Sequence, residues 1–375
     1  MTHFEVIKMG NNKIGTVEAI MSILTVVVAH TILSLPRILI LNTNSSTILN
    51  LIYLTIIAMA LAYLIYFLLK KFPGLDIVDI SENLGGKVFK NIVGAVFIFH
   101  FITSSSLLLR NFCEGLKILY FPLTDILFII LLFVIAVCIS IRLGSSSVYK
   151  TNLIIIPLTL VSIVALFVFN LENFVPQRMF PILGNGFFST FVLGLTNLSA
   201  FGGIAYIYFL PPLLKDPKKL KQISIISVCV IGIYLILCVS IILFIFTSLV
   251  SANEIMPLYF AARHIDFGTF FQRLESLFLL IWILAFASYL GTCTTISIGI
   301  FKKLTNIKDI KPIANIFVLL ILGVSLLPNN MAICELIASN FYGSSVIGIV
   351  FILGLSILII ANLKERKKLK VGNSK

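Results

Sequence analysis

The chain has 375 residues, of which 59% are hydrophobic and only 11% are charged. A water-soluble protein needs about 25% charged residues to cover its surface, so this composition excludes an ordinary soluble globule and indicates a lipid-facing surface. The net charge of +13 does not indicate nucleic-acid binding, because the basic residues are scattered over short loops and are not gathered on one face.

The polar N-terminal segment, residues 1–15, precedes the first long apolar run. That run is too long for a signal-peptide core and has no small-residue cleavage site, so we predict a retained first helix. A bilayer core needs about 20 apolar residues per helix, and apolar runs of this kind recur along the chain. We predict about ten spans, at residues 16–40, 46–69, 88–112, 124–141, 150–169, 187–213, 222–250, 273–301, 311–328 and 336–362.

The lysines and arginines predict the orientation of these spans. With the N-terminus inside, all but six of the 28 basic residues fall in cytoplasmic segments. Basic residues concentrate on the cytoplasmic side of membrane proteins, so both termini are predicted to be cytoplasmic. The six on the outer side are Arg37, Arg110, Lys117, Arg178, Arg263 and Arg273.

The first span contains a predicted break at Ala29–Leu33, within the segment VVVAHTILSLPRIL. Pro36 has no amide donor and crowds the carbonyl four residues before it, and His30, Thr31 and Ser34 interrupt the apolar run. Backbone groups freed by such a break are tolerated in a membrane only where they line a protein-walled cavity or bind a ligand.

The sixth span contains a second predicted break, Ser199–Gly203, within LSAFGGIAYIYFLPPLL. Gly202 and Gly203 loosen the helix, and two prolines follow. An offset of 176 residues places Pro36 on Pro212 and the start of span 1 on the start of span 6. Five spans separate the two copies, so the second enters the membrane from the opposite side, as in an inverted repeat.

These patterns predict an all-α integral membrane protein with a five-plus-five inverted repeat and discontinuous helices 1 and 6. Residues 1–375 form one membrane domain: a first repeat at about 14–169, a second at about 187–328, a final helix at about 336–362 and a basic cytoplasmic tail at 363–375. A half-helix N-terminus offers amide donors to a carboxylate, so two facing breaks suit a small zwitterion such as an amino acid.

Ionisable residues within a span are costly to insert, so each needs a reason. Glu18 is predicted to snorkel or to belong to an ion or structural pair. Arg273 and Glu275, at the start of span 8 near the outer interface, are predicted to form such a pair. His30 contacts either ligand or freed backbone; His100, with Ser104 one turn later, is either packed or part of a site. Thr292, Thr294 and Thr295 bond to their own helix or line a cavity opposite span 1.

The sequence contains no nucleotide-binding loop, zinc-protease motif, nucleophile elbow or cofactor fingerprint. None of its six cysteines forms a CxxC pair, so no disulfide framework or metal site is indicated. We therefore predict that the protein is not an enzyme and that it uses no cofactor or metal.

The chain resembles the spore germination permease family, the B subunits of GerA-type germinant receptors, which are relatives of the amino acid/polyamine/organocation transporters. The resemblance covers nearly the whole length. It is carried by ILSLP in span 1, by ENFVPQRMFPILGNG before span 6, by FGGIAYIYFLPPLLKDPKKL and by FQRLESLFLLIW at span 8.

This resemblance implies a sensor of small nutrients, usually amino acids, in the inner membrane of bacterial spores. It implies as partners a larger membrane A subunit, a C-subunit lipoprotein and the lipid bilayer. The implied fold is LeuT-like, with the ligand between spans 1, 3, 6 and 8. Carried onto this chain, the implied site comprises Ala29, His30, Thr31, Ile32, Leu33, His100, Ser104, Ser199, Ala200, Phe201, Gly202, Gly203, Thr292 and Thr295.

The transporters of that superfamily commonly have a glycine-rich break in span 1, whereas this chain reads VAHTILS there. The glycine pair of span 6 is therefore the stronger predicted site. Three functional hypotheses follow: a ligand-sensing receptor subunit, an ion-coupled secondary amino-acid transporter, and a structural subunit that binds no ligand of its own.

Overall fold

The computed structural model describes residues 13–254, 256–265, 273–307 and 311–372, with the backbone alone for residues 252, 311, 312 and 367–372. The described chain is nearly all helical. Its α-helices are α1 Thr16–Thr31, α2 Leu35–Thr43, α3 Thr47–Leu69, α4 Ile77–Leu119, α5 Ile126–Arg142, α6 Ser145–Phe169, α7 Phe187–Phe191, α8 Leu220–Ile245, α9 Ser248–Asn253, α10 Pro257–Arg263, α11 Leu274–Thr305, α12 Lys311–Ser325, α13 Met331–Ser345 and α14 Gly354–Gly372.

Within the described residues, seven helical stretches are long and apolar enough to cross a bilayer, and three shorter apolar helices accompany them. The seven are Leu35–Leu69, Ile77–Leu119, Ser145–Phe169, Phe187–Phe209, Pro217–Ile245, Leu274–Thr305 and Met331–Arg366; the shorter ones are Thr16–Thr31, Ile126–Arg142 and Ile313–Ser325. Large apolar side chains such as Ile56, Phe128 and Leu132 are exposed on the bundle surface, as lipid contact requires. The chain is therefore a multi-pass membrane protein, while the number of ten spans stays a prediction.

The first predicted span consists of two helices, α1 and α2, joined by Ile32–Ser34. The interruption ends two residues before Pro36, which occupies the first turn of α2; of the predicted break, Ala29–Leu33, only Ile32 and Leu33 fall in it. Proline is favoured there because the amide that it lacks has no partner within the helix at that position. The Thr31 hydroxyl at the end of α1 donates to Val28 O (2.7 Å) and lies 2.8 Å from the Tyr234 hydroxyl of α8.

The sixth predicted span begins as α7 and continues as a 3-10 helix, Leu193–Phe209, in which Phe201 departs from helical dihedrals (φ −90°, ψ 23°). Runs of 3-10 helix longer than a few residues are uncommon, and they mark hinges or strained segments. A π-helix, Val346–Leu353, lies between α13 and α14 and packs against this 3-10 helix. The Tyr208 hydroxyl joins the two by donating to Val350 O (2.8 Å).

The start of α4 differs from the prediction, which assigned residues 70–87 to an inner loop. The helix begins at Ile77, because the Asp76 carboxylate caps it by accepting hydrogen bonds from the backbone amides of Val78 and Asp79 (both 3.0 Å). Gly86, with φ +73°, separates these first turns from the long span, a conformation that costs glycine little. The predicted basic tail is also helical at its start, since α14 continues to Gly372.

The two interrupted spans are tied to each other at both ends. Near the start of α1, Ile14 N donates to Leu213 O (2.8 Å), and Lys215 N donates to Ile14 O (3.0 Å). At the other end, the Asn197 amide of the 3-10 helix donates to Asn50 Oδ1 of α3 (3.0 Å) and to Leu39 O of α2 (3.3 Å). The interrupted segments therefore form one packed unit at the centre of the bundle, against α6, α8 and α11.

Candidate ligand pocket at the interrupted helices

Two buried histidines lie at the centre of the bundle, and helix α13 contacts both. The His30 ring stacks on Tyr342, with centroids 3.9 Å apart and planes inclined by 26°. The Nε2 atom of His30 is 3.3 Å from the Tyr289 hydroxyl of α11. His30 is therefore held between α11 and α13 by its ring and by one ring nitrogen.

His100 of α4 meets the same helix one turn further along. Its Nδ1 atom is 3.0 Å from Ser345 Oγ, and Ser345 also donates to Tyr342 O (3.2 Å). Tyr342 and Ser345 are three residues apart, so they lie on the same face of α13. Any shift of this face would act on both histidines.

A small pocket of about 40 Å³ opens beside His30. The helices that line it are α2, α4, the 3-10 helix and α13, together with His30 and Ser34 at the interruption of span 1. Four of its lining residues are serines. The full lining is His30, Ser34, Leu35, Ile38, Ser104, Leu107, Leu108, Ser199, Ala338, Ser339, Tyr342 and Gly343.

Two hydroxyl groups of this pocket are buried without a hydrogen-bond partner in the protein: Ser104 Oγ and Tyr342 O–H. Buried polar groups are nearly always satisfied, so an unpaired one needs an explanation such as a bound water or ligand. Both belong to a cavity large enough to hold water. The pocket therefore offers two directed polar groups to an occupant.

The glycine pair of the 3-10 helix allows close approach of two neighbouring helices. A Cβ atom on Gly202 would collide with the Tyr342 hydroxyl, and one on Gly203 would lie 2.6 Å from Ile23 O of α1. Gly202 thus makes room for the tyrosine that lines the pocket. Gly203 lets the backbones of α1 and the 3-10 helix touch.

An ion pair joins the two helices that flank the pocket. Arg37 Nη1 of α2 and Glu335 Oε1 of α13 are 2.8 Å apart, and each side chain is about one-fifth exposed. Both residues lie outside the pocket lining. The pair holds α2 against α13, so it restrains the helices that would have to separate to enlarge the pocket.

Of the residues predicted for the site, His30, Ser104 and Ser199 line this pocket. The other residues of the two predicted breaks do not, although they lie in the same region of the bundle. Ala29, Thr31, Ile32, Leu33, Ala200 and Phe201 are buried in the surrounding core, and Gly202 and Gly203 form the close approaches described above. His100 lies behind the pocket, against Ser345.

The two threonines predicted from α11 have separate environments. The Thr292 hydroxyl donates to Ser288 O and accepts from the Asn152 amide of α6 (2.9 Å), which also donates to Ser22 of α1 (3.2 Å). Thr292 therefore belongs to a polar contact of three helices. Thr295 lines a different, larger cavity.

The charged residues singled out within the spans lie outside the lining of this pocket. Glu18 accepts a hydrogen bond from Gly15 N (2.6 Å) and so caps the start of α1. Within the described ranges, Arg273 and Glu275 form no ion pair with each other. The same ranges contain no group of His, Cys, Asp and Glu side chains that could hold a metal ion.

The sequence reasoning missed the contribution of the last span. Ser339, Tyr342 and Ser345 recur at intervals of three, which is the spacing of one helix face. That polar stripe was the available signal. Tyr289 of α11 was also missed, and nothing in its apolar surroundings distinguishes it.

Comparison with known sequences gives a consistent set of relatives. A family profile described as spore germination protein matches residues 13–333. Spore germination protein YndE of Bacillus subtilis (strain 168) is 25% identical over 332 residues, which cover 85% of this chain and 88% of YndE. Spore germination protein B2 of the same strain is 21% identical over 291 residues, which cover 77% of this chain and 79% of that protein.

Solved structures of transporters have the same fold. MhsT in complex with L-phenylalanine superposes with a TM-score of 0.64 at 13% identity, covering 92% of this chain and 97% of MhsT. MHP1, a nucleobase-cation-symport-1 family transporter with bromovinylhydantoin bound, superposes with a TM-score of 0.65 at 11% identity, covering 91% of this chain and 77% of MHP1. A mutant of the Eremococcus coleocola manganese transporter superposes with a TM-score of 0.56 at 12% identity, covering 96% of this chain and 79% of the transporter. The shared feature is the LeuT-like helical fold.

Proposed function

Since the chain belongs to the spore germination protein family and is a multi-pass membrane protein, we propose that it is the nutrient-sensing subunit of a spore germinant receptor. The proposed ligand is a small amino acid that binds in the pocket of His30, Ser104 and Tyr342. The observation that carries this proposal is that two residues lining the pocket, Ser104 and Tyr342, have buried hydroxyls without a hydrogen-bond partner among the described residues.

The chemistry of the pocket supports a small polar ligand. Its serines and Tyr342 can donate hydrogen bonds to a carboxylate, and its leucines can contact a short apolar side chain. The related fold of MhsT was solved with L-phenylalanine. The span 1 interruption contains no glycine. In this proposal, side-chain hydroxyls donate many of the hydrogen bonds to the ligand that exposed backbone amides donate at a glycine-rich break.

A sensing mechanism needs two arrangements of the helices that the ligand distinguishes, because a ligand shifts an equilibrium only by its difference in affinity for the two states. The pocket of about 40 Å³ is too small for an amino acid as it stands. Ligand binding therefore requires α2 and α13 to separate, against the Arg37–Glu335 ion pair. In this proposal the displaced α13 transmits the signal to the A subunit and the C-subunit lipoprotein in the spore inner membrane, with both termini of the chain cytoplasmic.

The test is a pair of variants that remove only the unpaired hydroxyls, Tyr342→Phe and Ser104→Ala. Each should weaken amino-acid binding about tenfold, because a lost hydrogen bond to a charged group costs about 1.5–3 kcal/mol. Neither should lower the stability of the unliganded protein, since these hydroxyls bond to nothing in the fold. The measurements are equilibrium binding of a labelled amino-acid panel to purified protein and thermal unfolding in detergent.

Tyr208→Phe is the matched control for this pair. Its hydroxyl donates to Val350 O and does not line the pocket, so its loss should cost about 1 kcal/mol of stability and leave binding unchanged. Binding that survives in both pocket variants would refute this site. A well-folded wild-type protein that binds no amino acid in the presence of its partner subunits would favour a purely structural subunit.

A second candidate function, ion-coupled amino-acid transport, is favoured by the fold shared with MhsT and MHP1. Protein reconstituted in liposomes should then accumulate the bound amino acid against its gradient when a proton or sodium gradient is imposed. Saturable binding without such uptake would favour the sensor.

A further inference from the structure

A second, larger cavity lies at the end of the bundle where α1 begins and α11 ends. Its volume is about 710 Å³, and it shares no lining residue with the pocket at His30. Ligand sites commonly measure about 300–1,000 Å³, so this cavity has room for a small molecule without rearrangement. The last turns of α11, from Thr295 to Lys303, form much of its wall together with Asn306 and Ile307 beyond the helix end.

The rim of this cavity is positively charged. Lys13 and Lys302 belong to the lining, and neither forms an ion pair with a carboxylate among the described residues. Lys303 is already paired, since its Nζ lies 2.5 Å from Asp76 and 2.6 Å from Asp79. The two unpaired lysines therefore leave a positive potential at the entrance, which attracts anions.

The wall of the cavity combines an apolar part with polar side chains: besides the lysines and Thr295, Asp76, Ser145, Tyr149 and Asn306 belong to the lining. Phe209, Leu213 and Ile296 contribute hydrocarbon surface, whereas the Thr295 hydroxyl is buried, unpaired and part of the lining. Thr295 is 8% exposed, so bulk water does not satisfy it. An occupant that accepts a hydrogen bond from Thr295 would remove the cost of leaving that hydroxyl unpaired.

We infer that this cavity is a binding site for a small organic anion with an apolar body, such as a hydrophobic carboxylate. The lysines of the rim attract the anionic group, the apolar wall holds the body, and the Thr295 hydroxyl donates to an acceptor on the ligand. Inorganic phosphate could use the lysines but not the apolar wall. This site is separate from the pocket proposed for sensing.

The experiment uses para-trifluoromethylbenzoate as the probe and follows its binding by fluorine NMR, with the full chain in neutral phosphatidylcholine nanodiscs. Gly299 lines the cavity, and a Cβ atom placed on it would meet nothing within 4 Å. There is therefore room for the first atom of a side chain at this position, and Gly299→Phe is designed to place an aromatic ring in the cavity. We expect saturable binding to the wild type and a loss of about tenfold or more in Gly299→Phe.

The contribution of a cavity lysine to binding of the anionic probe is tested by Lys302→Gln, with Lys219→Gln as the matched control. Lys219 is exposed, carries the same charge and lies outside the cavity. We expect Lys302→Gln to weaken binding about threefold to fivefold, the effect of one partly exposed charge, and Lys219→Gln to leave it unchanged. This pair keeps the test decisive if Gly299→Phe does not fold.

Two results would overturn the inference: binding of the neutral para-trifluoromethylbenzamide as tight as that of the carboxylate, or equal carboxylate binding by the Lys302 and Lys219 variants. Tyr342→Phe should bind the probe as the wild type does. A negative result for probe binding at this cavity therefore leaves the proposed sensing pocket untouched, since that pocket is tested separately by amino-acid binding.

Discussion

Replacement of Gly203 by alanine should lower the stability of the protein by about 2 kcal/mol, the usual cost of inserting a methyl group where there is no space. The new Cβ atom would lie 2.6 Å from Ile23 O, which is a backbone atom of α1. A backbone cannot turn aside as a side chain can, so α1 and the 3-10 helix would have to separate. The measurement is thermal unfolding of purified protein in detergent.

Alanine substitutions at two other glycines serve as comparisons for Gly203→Ala. Gly323 of α12 has open space where its Cβ would be, so Gly323→Ala should be neutral or stabilise by up to about 1 kcal/mol through helix propensity. Gly202→Ala would instead push on the Tyr342 hydroxyl, the movable end of a side chain, and should impair ligand binding more than stability. Equal stability of Gly203→Ala and Gly323→Ala would show that the contact with Ile23 is not tight.

Removal of the Lys303 charge should lower the stability of the protein more than Gly203→Ala does. In Lys303→Met, the buried carboxylate of Asp76 would lose its cation, while Asp79 stays beside it. Breaking a buried ion pair by deleting one partner costs about 3–5 kcal/mol, and we expect about 3 kcal/mol because Lys303 is partly exposed. The junction between the start of α4 and the end of α11 should open first.

The loss of stability in Lys303→Met should depend on pH. Burial raises the pKa of the Asp76 carboxyl to about 6, against the opposing effect of Lys303 and with a smaller contribution from Asp79. That value lies above the unfolded value of about 3.9, so the folded state binds the extra proton and ionisation of Asp76 costs stability as the pH rises through 6. Without Lys303 the pKa should rise further.

The stability difference between Lys303→Met and the wild type should therefore be largest at about pH 8 and shrink toward about pH 5. Unfolding curves across this range measure it. Lys302→Met is the matched control, since it removes the neighbouring charge without breaking any ion pair seen in the described part of the chain, and its effect should be small at every pH. A pH-independent loss in Lys303→Met would show that Asp76 stays ionised in the variant.

Several properties of this protein follow from its sequence alone. The shortage of charge excludes a soluble fold, because there is too little polar surface to face water. Pro36 predicts a break in the first span from its missing amide, and the structure has two helices there, with the linking residues 32–34 ending two positions before the proline. The ordered motifs around ILSLP and FGGIAYIYFLPP identify the family, which the match over residues 13–333 confirms.

The partners of the key side chains were decided only by the tertiary structure. His30 stacks on Tyr342, a residue more than 300 positions away, and no local pattern specifies which of many helices faces another. The adjacent glycines 202 and 203 look alike in sequence, yet one accommodates a side chain and the other a backbone. Thr292 and Thr295 are likewise similar in sequence, but one joins α11 to α6 and the other faces a cavity. Helix period and composition are local properties and can be read along the chain, whereas each of these contacts depends on how distant helices pack in three dimensions.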